Sequence, residues 1–300
     1  MPHANMRQIF LLFVFIFLAF ISTAILSFPL YKLLHIFNAV QFHEIMSQLS
    51  SLCGLLFIFL YLRFNNILNK KTAGFNFALI SFKREILTGM LSGIMIMLLL
   101  VAVLMIMDIR EFDPAFQFNL NTVFTLLFKA ILSGIMVALI EETLYRGALL
   151  GGLYETTNVL TAVIISSGIY SSAHFIKFHR VEANSDINLL TGFDILSDSF
   201  NSFGDPAILD YFLVLFVFGV LLALVRLNKG DIMQCMGIHA GVVFAIKIIK
   251  DLTDYVPGNN FEFLVNRNDH LLGYLAVIFL VIINVVYYQR FFPGKKLSSP

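Results

Sequence analysis

Long apolar runs, broken by short polar connections, make up most of the chain. A spanning α-helix needs about 20 mostly apolar residues. Eight segments qualify: roughly Ile9–Phe28, Ile45–Leu62, Ile86–Met107, Val123–Tyr154, Asn158–Phe175, Ala207–Leu227, Ile232–Ile249 and Leu271–Tyr288. The pattern predicts an all-α polytopic membrane protein with about eight transmembrane helices, built as a single membrane domain over residues 1–300. The fourth segment is too long for a straight span, so it is expected to be tilted, broken or extended beyond the bilayer. The longest polar stretch, Lys177–Pro206, is too short for a domain, which leaves the chemistry in or beside the membrane.

Composition agrees. Hydrophobic residues make up 59% of the chain and charged residues 13%, against about 25% charged in soluble domains. A net charge of +1 provides no basic footprint for nucleic acid. Cys53 and Cys235 both lie in apolar runs, with no spacing for a disulfide framework or a zinc ribbon. Basic residues set orientation. Arg7, the Arg63–Arg84 loop with Lys70, Lys71 and Lys83, then Arg226, Lys229, Arg290, Lys295 and Lys296 fall on one side; the intervening loops are mainly acidic. That alternation expects both termini in the cytoplasm and a plasma-membrane location.

Within the fourth segment, "ALIEETLYRGALLGG" places Glu141, Glu142 and Arg146 inside a membrane helix. Each charge at the bilayer centre costs on the order of 2.5–3.5 kcal/mol on insertion scales. Residues four apart share a helix face, so Glu142 and Arg146 are expected to neutralise each other. Glu141 points elsewhere, toward a stripe with Gly134, Ala138, Tyr145 and Ala148, and has no cation at i+4. A packing clasp would explain Glu142 and Arg146 but not Glu141.

Two histidines offer it company. His174 ends the fifth segment, with Ser167, Tyr170 and Ser171 on its face, a pattern that suits a watered cavity. His239 lies within the seventh, flanked by Gly237 and Gly241, which let another helix come close. From the cytoplasmic span ends, Glu141, His174 and His239 stand roughly 20, 24 and 10 Å up, so convergence requires tilt or shift. One carboxylate with two imidazoles is a hydrolase constellation: Glu141 as general base, His174 orienting water, His239 stabilising an oxyanion. Other near-motifs fail, since Ser47 stands where H-E-x-x-H, begun at His43, needs its second His.

Glu141, Glu142 and Arg146 match the E-E-x-x-x-R motif of the CAAX-protease and bacteriocin-processing family of intramembrane proteases, which includes the type II CAAX prenyl endopeptidase. His174 is similar to its second motif, an aromatic (here Tyr170 rather than Phe) four residues before His. His239 resembles the third, His followed four residues later by Asn or Asp. The resemblance covers roughly Val123–Ile249, a catalytic core over residues 123–249. It implies an intramembrane endopeptidase acting on membrane-associated peptides or proteins, such as CAAX-type tails or bacteriocin-like peptides. Glu141 and His174 would activate water, and His239 would complete the site.

The residues favour no metal, because the site offers few spare ligands and no motif for partners that orient metal-bound imidazoles; the resemblance leaves a divalent metal open. The chain departs from the pattern at Val243, where Asn or Asp is expected. Tyr170 or Gln234, and less readily Lys247, would have to supply the missing donor. The alternative is a non-catalytic membrane immunity or scaffold protein on the same fold. A proton-coupled transporter ranks last, since no inverted repeat is visible. The expected partners are the lipid bilayer and a peptide substrate, with no nucleic acid; oligomeric state is left open.

Overall fold

A computed structural model describes residues 6–35, 41–66, 74, 79–116, 118–176, 178–181, 186–205 and 208–293. Lys70, Lys71, Lys177, Pro206, Ala207, Lys295 and Lys296, used in the charge and boundary reading, lie outside these residues. The helices are α1 (Met6–His35), α2 (Phe42–Phe64), α3 (Leu79–Ile106), α4 (Leu120–Glu142), α5 (Leu150–Thr156), α6 (Val159–Ala173), α7 (Thr191–Asn201), α8 (Leu209–Lys229), α9 (Met233–Leu252) and α10 (Tyr274–Phe291). Local signals set several boundaries. Asn119 and Asn158 cap α4 and α6 by accepting from the backbone N–H of Thr122 and Thr161, both at 2.9 Å. Gly230, at φ 79°, ends α8 in the left-handed conformation that a side chain resists.

All eight apolar segments are helical, and the protein is all-α and polytopic. Among the described residues, six helices are long and apolar enough to cross a membrane: α1, α2, α3, the continuous run Leu120–Thr156, α8 and α10. Helix α6 is apolar but has 15 residues, about 22 Å of rise. Helix α9 carries His239, Lys247 and Lys250 and packs among α3, α4 and α8. The long fourth segment is broken, as its length required. Thr143–Leu149 is a π-helix between α4 and α5, and the Leu150 N–H reaches the Tyr145 carbonyl five residues back. Such π stretches are rare and concentrate at functional sites. Here the break falls directly after the glutamate pair.

Apolar side chains form one cluster among α3, α8, α9 and α10 (Leu104, Leu222, Cys235, Leu271) and another among α1, α2, the π segment, α5 and α6 (Leu12, Tyr61, Leu149, Leu153, Ala162). Tyr145 packs against both, so the glutamate-bearing segment lies at their seam. On the first cluster's far edge, two three-residue strands, Arg110–Phe112 and Thr253–Tyr255, pair antiparallel and tie the end of α3 to the end of α9. The buried Arg110 guanidinium donates to Thr253 Oγ1 (2.8 Å) and to the His270 carbonyl (3.1 Å), clamping the loop that leads into α10.

Glycines hold α9 in place. Gly89 and Gly93 of α3 face Gly237 and Gly241 of α9, each backbone filling the space a side chain would take on the other. A Cβ on Gly89 would lie 2.5 Å from the Gln234 carbonyl, and one on Gly237 would strike the Ile86 carbonyl. On α4, a Gly134 Cβ would lie 2.6 Å from the Ala240 carbonyl. Close approach at Gly237 and Gly241 was expected, and it brings α3 beside the helix that carries His239. Gly237→Ala or Gly93→Ala is therefore expected to cost about 1–3 kcal/mol through backbone displacement. Thermal unfolding in detergent should show a midpoint several degrees lower. Gly168→Ala, where a Cβ meets open space, should leave it unchanged or raise it.

Candidate active site

Ala130, Gly134, Ala138 and Glu142 are the buried row of α4. Small residues every fourth position let α9 approach, and Glu142 ends the row fully buried. Its Oε1 accepts from Arg146 Nη1 at 3.1 Å and from His239 Nδ1 at 2.7 Å. The Arg146 guanidinium lies over the Tyr170 ring, 4.2 Å from its centroid. The expected pairing of Glu142 with Arg146 is present. The expected stripe is corrected: Gly134 and Ala138 belong to the face of Glu142, not that of Glu141. Spacings of three and four residues both stay near one helix face, so periodicity alone does not separate the two.

Glu141, one position earlier, turns about 100° away and is partly exposed at 24%. Its Oε2 lies 3.7 Å from His174 Nε2 and 3.9 Å from His239 Nε2. The three residues singled out from sequence thus meet at one point. The start of α9 at Asp231, Ile232 and Met233 is buried within the protein.

Each imidazole is oriented by its other nitrogen. His174 Nδ1 is 2.9 Å from the Tyr170 carbonyl, which can only accept, so Nδ1 carries the proton. His239 Nδ1 donates in the same way to the Glu142 carboxylate. In their neutral forms both rings turn an Nε2 lone pair toward the Glu141 carboxylate. Three acceptors facing one another require a donor between them: water, a proton or a cation. Glu141 Oε2 has no hydrogen-bond partner within the protein.

Residues 122–245 match the family model described as type II CAAX prenyl endopeptidase Rce1-like. Over that stretch, somewhat less than half of its length, the chain is similar to the CAAX-protease family. Its long apolar helices make it a multi-pass membrane protein, and the family it resembles over that stretch is one of endopeptidases. No curated protein and no solved structure matches the chain significantly.

Two cavities open on the point where Glu141, His174 and His239 meet. One, about 390 Å³, lies between α1, α2, the π segment and α6, with Phe20, Phe57, Ile58 and Leu144 among its walls and Ser50 and Ser51 as polar members. The other, about 130 Å³, lies among α3, α8, α9 and α10 and is lined by His239, Tyr170, Tyr211 and Val243 among apolar side chains. Val243 therefore faces the chamber beside His239. Tyr170 lines it too, whereas Gln234 and Lys247 line neither cavity, so neither stands where the absent amide would be. Tyr211, at the start of α8, is a lining residue that the sequence did not single out; it sits in an apolar run with no motif around it.

Sequence reasoning also missed the bond from Glu142 to His239, which joins residues 97 positions apart. Both imidazoles have orienting partners after all, so that ground for expecting no metal does not hold. Among the described residues, no group of three or more His, Cys, Asp or Glu side chains meets the geometry of a metal site.

Removing one partner of a buried ion pair costs roughly 3–5 kcal/mol, because the other charge stays uncompensated. Glu142→Ala is therefore expected to lower the thermal midpoint sharply and to reduce the folded yield in detergent. Glu142→Leu combined with Arg146→Met should recover much of that stability.

Proposed function

We propose that the domain hydrolyses peptide bonds within the membrane, with Glu141 as general base and residues 123–249 as the catalytic core. The observation that carries this reading is the approach of Glu141 Oε2 to within 3.7 and 3.9 Å of two oriented imidazole nitrogens. At such separations polar groups interact through a shared water. A water held there donates one proton to Glu141 while its oxygen attacks the carbonyl carbon of the scissile bond. The new C–O bond places negative charge on the carbonyl oxygen, which donors lining the small chamber stabilise. The proton on Glu141 then passes to the amide nitrogen, the C–N bond breaks, and a carboxylic acid and an amine leave. His174 orients the water, and His239 completes the site.

The oxyanion donor is the point where this chain differs from the pattern it resembles. Val243 supplies no hydrogen bond, and Tyr170 adds a hydroxyl where the family motif has Phe. Both line the same chamber, which supports Tyr170 as the compensating donor. Losing one such donor lowers kcat by on the order of 10²–10³. Tyr170→Phe is expected to lose activity on that scale, and adding Val243→Asn to it should restore a large part. Single-turnover kinetics on detergent-purified protein checks both. An unchanged rate in Tyr170→Phe would remove Tyr170 from this role.

A second reading rests on the same convergence. Glu141 and the two Nε2 atoms are donor types that hold a divalent cation, which would supply Lewis-acid activation of water. The deciding experiment incubates wild type and Glu141→Gln with a library of membrane-inserted peptides, with and without a chelator, and reads new termini by mass spectrometry. Wild-type cuts that survive chelation and vanish in Glu141→Gln are expected. Cuts lost on chelation would favour the metal reading. No cuts from well-folded wild type would favour a non-catalytic immunity or scaffold protein. CAAX-type tails and bacteriocin-like peptides both belong in the library. The reading places the chain in the plasma membrane with both termini in the cytoplasm.

A further inference from the structure

Three residues line both cavities: Val137, Glu141 and His174. Two belong to the reacting centre. The third, Val137, lies one helical turn before Glu141 on α4 and is half-buried. Among the described residues, the wall common to the two cavities is thus the proposed catalytic pair and one branched aliphatic side chain.

Resting on the proteolytic reading above, we infer that Val137 is a specificity-determining residue. It divides the substrate-binding space into a large and a small compartment on opposite sides of Glu141 and His174. A bond cleaved at Glu141 must lie at this partition, so the chain on its two sides enters compartments of unequal size. The small one, about 130 Å³, compares with an apolar cavity of about 150 Å³ that accommodates one benzene molecule. It takes a single apolar side chain up to the size of a phenyl ring. The large one, about 390 Å³, falls in the range of pockets that take whole small ligands, about 300–1,000 Å³. Substrates are thus asymmetric across the cleaved bond: one apolar side chain of restricted size on one side, a bulkier apolar group on the other. Both compartments are walled mainly by apolar side chains, which disfavours charged groups at either flanking position.

Val137 stands at the boundary, so its volume sets the limit on the restricted side. One methylene in an apolar pocket changes discrimination by roughly 10–200-fold. The test uses full-length protein in nanodiscs and membrane-inserted peptides identical except at the restricted flanking position, which carries Ala, Val, Leu, Phe or naphthylalanine. The readout is the ratio of kcat/KM for naphthylalanine to that for Val. Wild type should give a low ratio, Val137→Ala should raise it at least about tenfold, and Val137→Phe should shift preference toward Ala. A merely structural role for Val137 would scale all peptides alike and leave the ratio unmoved. Ratios within twofold of wild type in both variants, with cleavage retained, overturn the inference but leave the proteolytic reading standing. Absence of all cleavage by wild type removes both.

Discussion

Glu142 is a fully buried carboxylate held by two hydrogen-bond donors from different parts of the chain, the Arg146 guanidinium one helical turn away and His239 Nδ1 on α9. A buried charge is tolerated only when it is paired and hydrogen-bonded, so this residue dictates what may surround it. Arg146 must remain within a turn, and its guanidinium must find the face of Tyr170. His239 must reach the carboxylate with Nδ1, which turns Nε2 toward Glu141. The geometry of the site follows from satisfying one anion.

That bond requires α4 and α9 to approach closely, and the glycines and alanines make the approach possible. Gly134 meets the Ala240 carbonyl from one side, and Gly89, Gly93, Gly237 and Gly241 interlock α3 with α9 from the other. Lipid tails are as apolar as leucine, so helices in a bilayer associate through close packing and buried hydrogen bonds. Here the small residues supply the first and Glu142 anchors the second. The π stretch from Thr143 to Leu149 adds a local change of register after the glutamates. Arg146 stays on the buried face, while the helix continues into α5 against the other apolar cluster.

Glu141 is the opposite case. It pairs with no lysine or arginine among the described residues, remains partly open to the cavities, and faces two imidazoles whose Nδ1 protons are committed elsewhere. Adjacent glutamates thus have contrasting environments, one neutralised and immobile, the other at the boundary between two chambers. The proposed hydrolysis uses that contrast, holding water against a carboxylate free to take a proton in a site with mainly apolar walls.

Much of this was legible in the chain. Helical segments follow from apolar runs, because a backbone in lipid must satisfy its own hydrogen bonds. The Glu142–Arg146 pair follows from a spacing of four, and the division of labour between the two glutamates follows from the 100° step between neighbours. Glu141, His174 and His239 stand out as polar groups in spans, where any such residue needs a reason. What tertiary structure alone decided is how those groups meet. His239 bonds Glu142 across 97 residues, and Val137, Tyr211 and Val243 become chamber walls. Helical periodicity gives the face a residue occupies on its own helix. It carries no information on the depth and rotation of one helix against another, which arise from packing between residues far apart in the chain.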